Sequence, residues 1–159
     1  MLHTSYLSLG SNLGHREANL KAAIERLKGF GDVKRISPFY ETEPVEVTDQ
    51  PWFVNCAVEI ETELTARQLL EAGLSIEREL GRVRAQPKGP RVIDIDLLFF
   101  DLAVLDETGL KVPHPAMQDR RFVLRPLADI AAEVVHPLLK RSVADLLLEL
   151  PNGDEVRKL

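Results

Sequence analysis

FVNCAVEIETELTARQLLEAGLSIERELG, residues 53–81, places a strand and a helix in immediate succession. From Phe53 to Ile60 the residues alternate. Val54, Cys56, Val58 and Ile60 fall on one face, and Phe53, Asn55, Ala57 and Glu59 on the other, as in a pleated strand. Thr65-Ala66-Arg67-Gln68 then has capping-box spacing: the threonine hydroxyl can accept from the Gln68 N–H while the glutamine side chain reaches back to the cap. Leu69, Ala72, Gly73, Ile76 and Leu80 make one helical stripe that runs to Gly81, a residue free to turn left-handed.

The same alternation of periods extends in both directions. Toward the N-terminus, Tyr6–Leu9 reads as a strand ended by Gly10-Ser11-Asn12. Leu20, Ala23, Ile24 and Leu27 then mark a helix closed near Gly29 and Gly31, and Val33–Tyr40 is strand-like. Toward the C-terminus, Val92–Phe100 alternates again, with Ile93, Ile95, Leu97 and Phe99 on one face and Asp94 and Asp96 on the other. The order β-α-β-β-α-β predicts an α+β, ferredoxin-like core: an antiparallel sheet with both helices on one face and the other face left for a ligand or a further layer. Beyond it the sequence predicts a hairpin or loop over Asp101–Pro113 and short helical pieces around Leu127–Glu133. A last helix is expected with Ser142 as its cap and Val143, Leu146, Leu147 and Leu150 inward. No repeat or linker divides the chain, so residues 1–159 are read as one domain.

Composition limits the function. At 45% hydrophobic and 28% charged residues, with a formal net charge of −5, the chain suits an ordinary globular protein and not a nucleic-acid coat. Cys56 is its only cysteine, which excludes an intrachain disulfide and multi-cysteine metal sites and points to a reducing compartment, the cytoplasm. The most apolar stretch, Ile93–Leu105, is broken by Asp94, Asp96 and Asp101, so neither export nor a membrane span is expected.

The chemistry concentrates in GPRVIDIDLL, residues 89–98. Strand residues two apart point the same way, so Asp94 and Asp96 present paired carboxylates to one site, and hard oxygen ligands suit Mg²⁺ or Mn²⁺. Arg78, Arg82, Arg84, Lys88 and Arg91 crowd the preceding residues, and the planar guanidinium fork matches phosphate. Pro113-His114 followed by Arg120, Arg121 and Phe122 adds further cations and an aromatic ring. Each feature alone is more often a solvated face or a surface turn. There is no P-loop, dinucleotide fingerprint, nucleophile elbow or zincin motif, and His3, His15, His136 and Cys56 show no ligand or nucleophile spacing. Three readings remain open on the residues alone: a metal-dependent phosphoryl-transfer enzyme, a non-catalytic ligand-binding module, and a nuclease or nucleotidyl transferase. The acidic balance weighs against the last.

Six segments in order resemble the 6-hydroxymethyl-7,8-dihydropterin pyrophosphokinase family of folate biosynthesis: LSLGSNLG (7–14), SPFYETEP (37–44), QPWFVNCAV (50–58), GRVR (81–84), GPRVIDIDLLFF (89–100) and VPHPAMQDRRFVLRPL (112–127). The resemblance implies transfer of pyrophosphate from ATP to the pterin hydroxymethyl group, giving AMP and the pterin diphosphate, with two Mg²⁺ ions on Asp94 and Asp96. It implies Arg82 and Arg91 as catalytic cations, and Glu77, Arg84, Arg91, Leu97, His114 and Arg120 around the nucleotide. It places the pterin against Thr42, Pro44, Val45, Phe53, Asn55 and Phe122. Strand parity independently puts Phe53 and Asn55 on one face. The partners expected are these small molecules, with no nucleic acid or membrane, and the chain is expected to act as a monomer. The sequence departs from many relatives at Pro87-Lys88, at Leu74 and at Pro115.

Overall fold

The computed structural model describes residues 1–44, 49–81, 91–153 and 155–159. In chain order the elements are β1 (His3–Ser11), α1 (Arg16–Leu27), β2 (Asp32–Ile36), β3 (Tyr40–Thr42), β4 (Phe53–Thr62), α2 (Ala66–Glu79) and β5 (Asp94–Phe100). There follow β6 (Leu105–Glu107), β7 (Leu110–Val112), a 3₁₀ turn at Met117–Asp119, α3 (Arg121–Ala131), α4 (Val143–Glu149) and β8 (Val156–Lys158). The main sheet runs β5-β1-β4-β3-β8, with β2 also on β4, and every pairing is antiparallel. Both β-α-β connections therefore skip one strand, which is the ferredoxin-like arrangement.

The two halves of the pattern bury on opposite sides. Leu20, Ala23, Ile24 and Leu27 of α1 and Leu69 and Ile76 of α2 pack on Leu7, Leu9, Val54, Cys56, Val58 and Ile60. The capping box is formed: Thr65 Oγ1 accepts from the Gln68 N–H, and Gln68 Oε1 accepts from the Thr65 N–H at 2.9 Å. The opposite sheet face is covered over part of its length by α3 and α4, through Val123, Leu124, Leu127, Val143 and Leu146 against Ala57, Leu98 and Phe99. Burial also pushes the Cys56 thiol up to about 12, which leaves it inert.

Three sequence expectations are corrected, and one strand is added. Phe99 does not share a face with Ile93, Ile95 and Leu97. Tyr6 pairs with Phe99 and Leu7 with Leu97, so Leu98 is an extra residue, and this bulge turns both Leu98 and Phe99 toward α3. The expected strand Val33–Tyr40 is two strands, interrupted at Ser37-Pro38-Phe39; Pro38 has no N–H to give a ladder. The helix expected near Leu127 begins at Arg121 and contains Pro126. Strand β8 was not foreseen. The Asp101–Pro113 hairpin and the Ser142 cap, which accepts from the Asp145 N–H at 3.1 Å, are present as expected. Among the described residues no helix is long and apolar enough to cross a membrane.

His136, between α3 and α4, is buried in a T-shaped contact with Phe99, ring centres 5.7 Å apart, and its Nδ1 accepts from the Leu138 and Leu139 N–H groups at 3.2 and 3.1 Å. Burial lowers its pKa from the usual 6.5. The unfolded chain then takes up a proton below about pH 6.5 that the folded chain resists, so stability is full above that range and falls as the solution is acidified. His136 should therefore contribute a fall in melting temperature between about pH 7.5 and about pH 5.5, read as the difference between wild type and His136→Asn at each pH. His114, also lowered by burial, adds to that fall, whereas Asp96, whose carboxyl is raised, gains stability as it protonates and opposes it, so the difference between the two proteins and not the slope of either carries the prediction.

Candidate active site

The uncovered end of the α3 face carries the polar residues. Cross-strand register sets Asp94, Gly10, Asn55 and Tyr40 in one row and Asp96, Ser8 and Ala57 in the next. With about 4.8 Å between strands, the Asp94 and Asn55 backbones stand two spacings, roughly 10 Å, apart across Gly10. A Cβ at Gly10 would lie 2.6 Å from Asn55 Nδ2 and 3.4 Å from Phe53 Cδ1, so glycine keeps the floor between them open. Asn55 is itself held. Its Oδ1 accepts from Thr42 Oγ1 at 2.5 Å, and its Nδ2 lies 3.4 Å from the Leu9 carbonyl.

Asp94 and Asp96 lie half-buried on the edge strand β5. Arg91 Nη1 donates to Asp94 Oδ2 at 3.0 Å. Burial, then the neighbouring Asp94 charge, pushes the Asp96 carboxyl up to about 7, against the opposing pull of Arg120; Glu77 adds to the rise and Arg91 to the pull. Two acids set side by side in this way hold a proton near neutrality unless a cation replaces it, and the hard-oxygen donor set fits Mg²⁺ or Mn²⁺. Among the described residues no group of three or more His, Cys, Asp or Glu side chains gathers to hold an ion. The remaining coordination would have to come from substrate oxygens or water.

The outer edge of β5 is fastened from two sides. Glu77, buried on α2, accepts from the Ile95 N–H through Oε2 at 2.7 Å, and the His114 N–H donates to the Leu98 carbonyl at 3.0 Å. Glu77 thus sits under the carboxylate pair and fixes the backbone between them. His114 Nδ1 accepts from the Ala116 N–H at 3.2 Å, which leaves the ring proton on Nε2 as a donor. Burial and the Arg120 charge lower its pKa, partly offset by Asp94, so the ring is neutral at pH 7. Beside this edge lies a cavity of about 280 Å³ lined by Leu70, Ile95, Asp96, Leu97, Gly109, Leu110, Lys111, His114 and Pro115.

The structure therefore brings Asp94, Asp96, Leu97 and His114 to one place, with Arg91 and Arg120 acting on the carboxylates and Glu77 beneath. Arg120 Cζ also lies 5.6 Å from the centre of the Phe122 ring, at the start of α3. Thr42, Phe53 and Asn55 form the second group, and Pro44 is buried beside β3. Val45, Arg82 and Arg84 lie outside the described residues, as does Pro87-Lys88. Sequence reading missed Gly10, Leu70, Lys111 and Asn12. Asn12 is 1% exposed: its Oδ1 accepts from the Arg91 N–H at 2.7 Å, and its Nδ2 donates to Gln50 Oε1 at 2.8 Å and the Pro51 carbonyl at 3.1 Å. An asparagine in the turn that ends a strand was the one available signal.

Fold and site together define a ferredoxin-like domain with a carboxylate pair set between an amide-floored slot and an apolar cavity. The chain belongs to the 7,8-dihydro-6-hydroxymethylpterin-pyrophosphokinase family, which it matches over residues 6–132. It is 48% identical to the 2-amino-4-hydroxy-6-hydroxymethyldihydropteridine pyrophosphokinase of Methylorubrum extorquens over 154 residues, covering 95% of this chain and 96% of that protein. The Bacillus subtilis protein of the same name is 45% identical over 136 residues, 84% of this chain and 81% of that one. It is also 41% identical over 150 residues to the folic acid synthesis protein fol1 of Pneumocystis carinii, where it covers 94% of this chain but only 20% of the longer protein. A crystal structure of Plasmodium falciparum HPPK-DHPS shares the fold at TM-score 0.76 and 15% identity, over 94% of this chain and 44% of that one.

Proposed function

We propose that the chain transfers a pyrophosphoryl group from ATP to the hydroxymethyl oxygen of 6-hydroxymethyl-7,8-dihydropterin, releasing AMP, in folate biosynthesis. The observation that carries this is the row Asp94–Gly10–Asn55: a phosphate-and-metal end and a ring-binding end on one sheet face, with a bare glycine between. The pterin edge is read by Asn55, whose amide is oriented by Thr42, and its flat faces lie against Phe53 and Phe122; the family resemblance adds Pro44 and Val45 as further contacts. The adenine occupies the cavity beside β5. Its apolar walls are Leu70, Ile95, Leu97 and Leu110, and the backbone of Leu97 offers its ring an edge.

Asp94 and Asp96 would hold two Mg²⁺ ions, which when bound neutralise the phosphate charge and make the pterin hydroxyl more acidic. The reaction asks for positioning and charge compensation and for no covalent nucleophile. Arg91 orients Asp94, while Arg82, Arg84 and Arg120 balance charge on the group in transit. His114 donates from Nε2 to a phosphate oxygen without adding a charge of its own. The test is direct: ATP with the pterin alcohol and Mg²⁺ should yield AMP, and none should form without the alcohol. ADP as product, or ATP cleavage indifferent to the alcohol, would overturn the reading.

Asn55→Ala should weaken the pterin alcohol by about 1–3 kcal/mol, the usual cost of an unpaired buried polar group, and leave ATP binding nearly unchanged. Calorimetric titration of each ligand separates the two effects.

A further inference from the structure

The short strand β8 lies along the outer edge of β3, with Val156 opposite Thr42, Arg157 opposite Glu41 and Lys158 opposite Tyr40. Backbone bonds extend the contact. The Glu43 N–H donates to the Glu155 carbonyl at 3.1 Å, the Glu155 N–H to Glu43 Oε1 at 2.9 Å, and the Leu159 N–H to the Phe39 carbonyl at 2.9 Å. Arg157 Cζ sits 4.6 Å from the centre of the Trp52 ring, and its Nη2 is 3.4 Å from Glu41 Oε1. Arg16 closes the circuit: its Nη1 lies 2.9 Å from Glu41 Oε2 and donates to the Trp52 carbonyl at 2.8 Å. Arg157, Trp52, Glu41 and Arg16 thus tie the end of β3 to the start of β4.

We propose that β8 is a strap that holds the end of β3 at Glu41-Thr42 and the start of β4 at Trp52-Phe53 in place for the substrate alcohol, with Arg157 as its positioning residue. The proposal rests on the function proposed above. Thr42, one residue from Glu41, and Phe53, one residue from Trp52, are slot residues, so the strap grips the chain on both sides of the slot. Slot residues fixed before the ligand arrives are not ordered on binding it, so affinity for the alcohol depends on the strap. The nucleotide side does not. Its cavity is built by α2, β5 and the β6–β7 hairpin, none of which pairs with β8. If β8 only capped an exposed sheet edge, its loss would lower stability without distinguishing the ligands.

Trp52 is the chain's only tryptophan, so its emission reports on the strap alone. The experiment compares wild type, Arg157→Ala and Arg157→Lys. Calorimetry measures binding of 6-hydroxymethylpterin and of a non-hydrolysable ATP analogue with Mg²⁺, and acrylamide quenching measures access to Trp52. Arg157→Ala should weaken the pterin about five-fold, leave the ATP analogue within about two-fold, and open Trp52 to quencher. Arg157→Lys, which keeps the charge but not the planar face, should recover part of the loss. Equal weakening of both ligands, or unchanged pterin affinity with only a lower melting temperature, would overturn the strap. A wild-type protein that binds no pterin would instead overturn the functional reading on which it rests.

Discussion

Replacing Asp94 or Asp96 by alanine is expected to cut AMP formation by roughly a thousand-fold or more, because either change removes half of the carboxylate pair proposed to hold the metal ions, worth several kcal/mol of transition-state stabilisation. The fold should survive. Both side chains are half-buried on a face that α3 leaves open, and burial beside the Asp94 charge penalises the ionised form of Asp96. Relieving that burden should leave Asp96→Ala as stable as wild type in the absence of ligands, or more so. The contrast is Ile95→Asp on the same strand, where the side chain packs into the α1–α2 core and an unpaired charge should unfold the domain. Circular dichroism melts alongside the AMP assay would distinguish a silent, folded enzyme from an unfolded one.

Asn12→Ala carries the second large effect. Asn12 joins three segments far apart in sequence: the end of β1, Gln50-Pro51 ahead of β4, and Arg91 ahead of β5. Alanine strips the Arg91 N–H and the Pro51 carbonyl of buried partners, which should cost about 2–4 kcal/mol of stability at the usual price of such groups. It also frees Arg91 from its place beside Asp94, so kcat/KM should fall about a hundred-fold even at temperatures where the protein stays folded. If stability falls while kcat/KM for the remaining folded protein is unchanged, Asn12 holds only the fold.

How far these features can be read without coordinates depends on whether a local pattern encodes them. The β4–α2 succession is legible because its period changes abruptly and Thr65–Gln68 supplies a cap whose bonds run within four residues. Asp94 and Asp96 are legible as a pair through strand parity alone. Parity fails three residues later, since Leu97, Leu98, Phe99 and Phe100 are all apolar and a bulge among them leaves no trace in the pattern. The start of α3 is obscured because Pro126 interrupts the helical signal, although its missing N–H costs one bond in a helix well packed against the sheet. Strand β8 is polar and short, with nothing periodic to detect. Gly10 and Asn12 could be seen only as turn residues, because what they do is decided by Asn55 and Arg91, 45 and 79 positions away. The family resemblance assigned roles to Glu77 and Leu97 that no spacing suggests; the coordinates add that Glu77 grips the β5 backbone.

The sheet order has a consequence for how ligand binding and folding are linked. Strand β1 stands between β5 and β4, so the row that unites Asp94, Gly10 and Asn55 exists only after pairings spanning most of the chain have formed. No partly folded intermediate lacking either outer pairing can offer both ends of the site to a bridging ligand. A compound spanning the slot and the cavity would therefore bind the native state almost exclusively. The stability it adds should rise with concentration as RT ln(1 + [L]/Kd), about 2.7 kcal/mol at a hundred times Kd, and the melting temperature should rise with it. Fragments confined to one end would stabilise less. A simple thermal-shift series could thus rank two-ended ligands and locate which half of the site a one-ended fragment occupies, once Asn55→Ala and Asp94→Ala are melted beside the wild type.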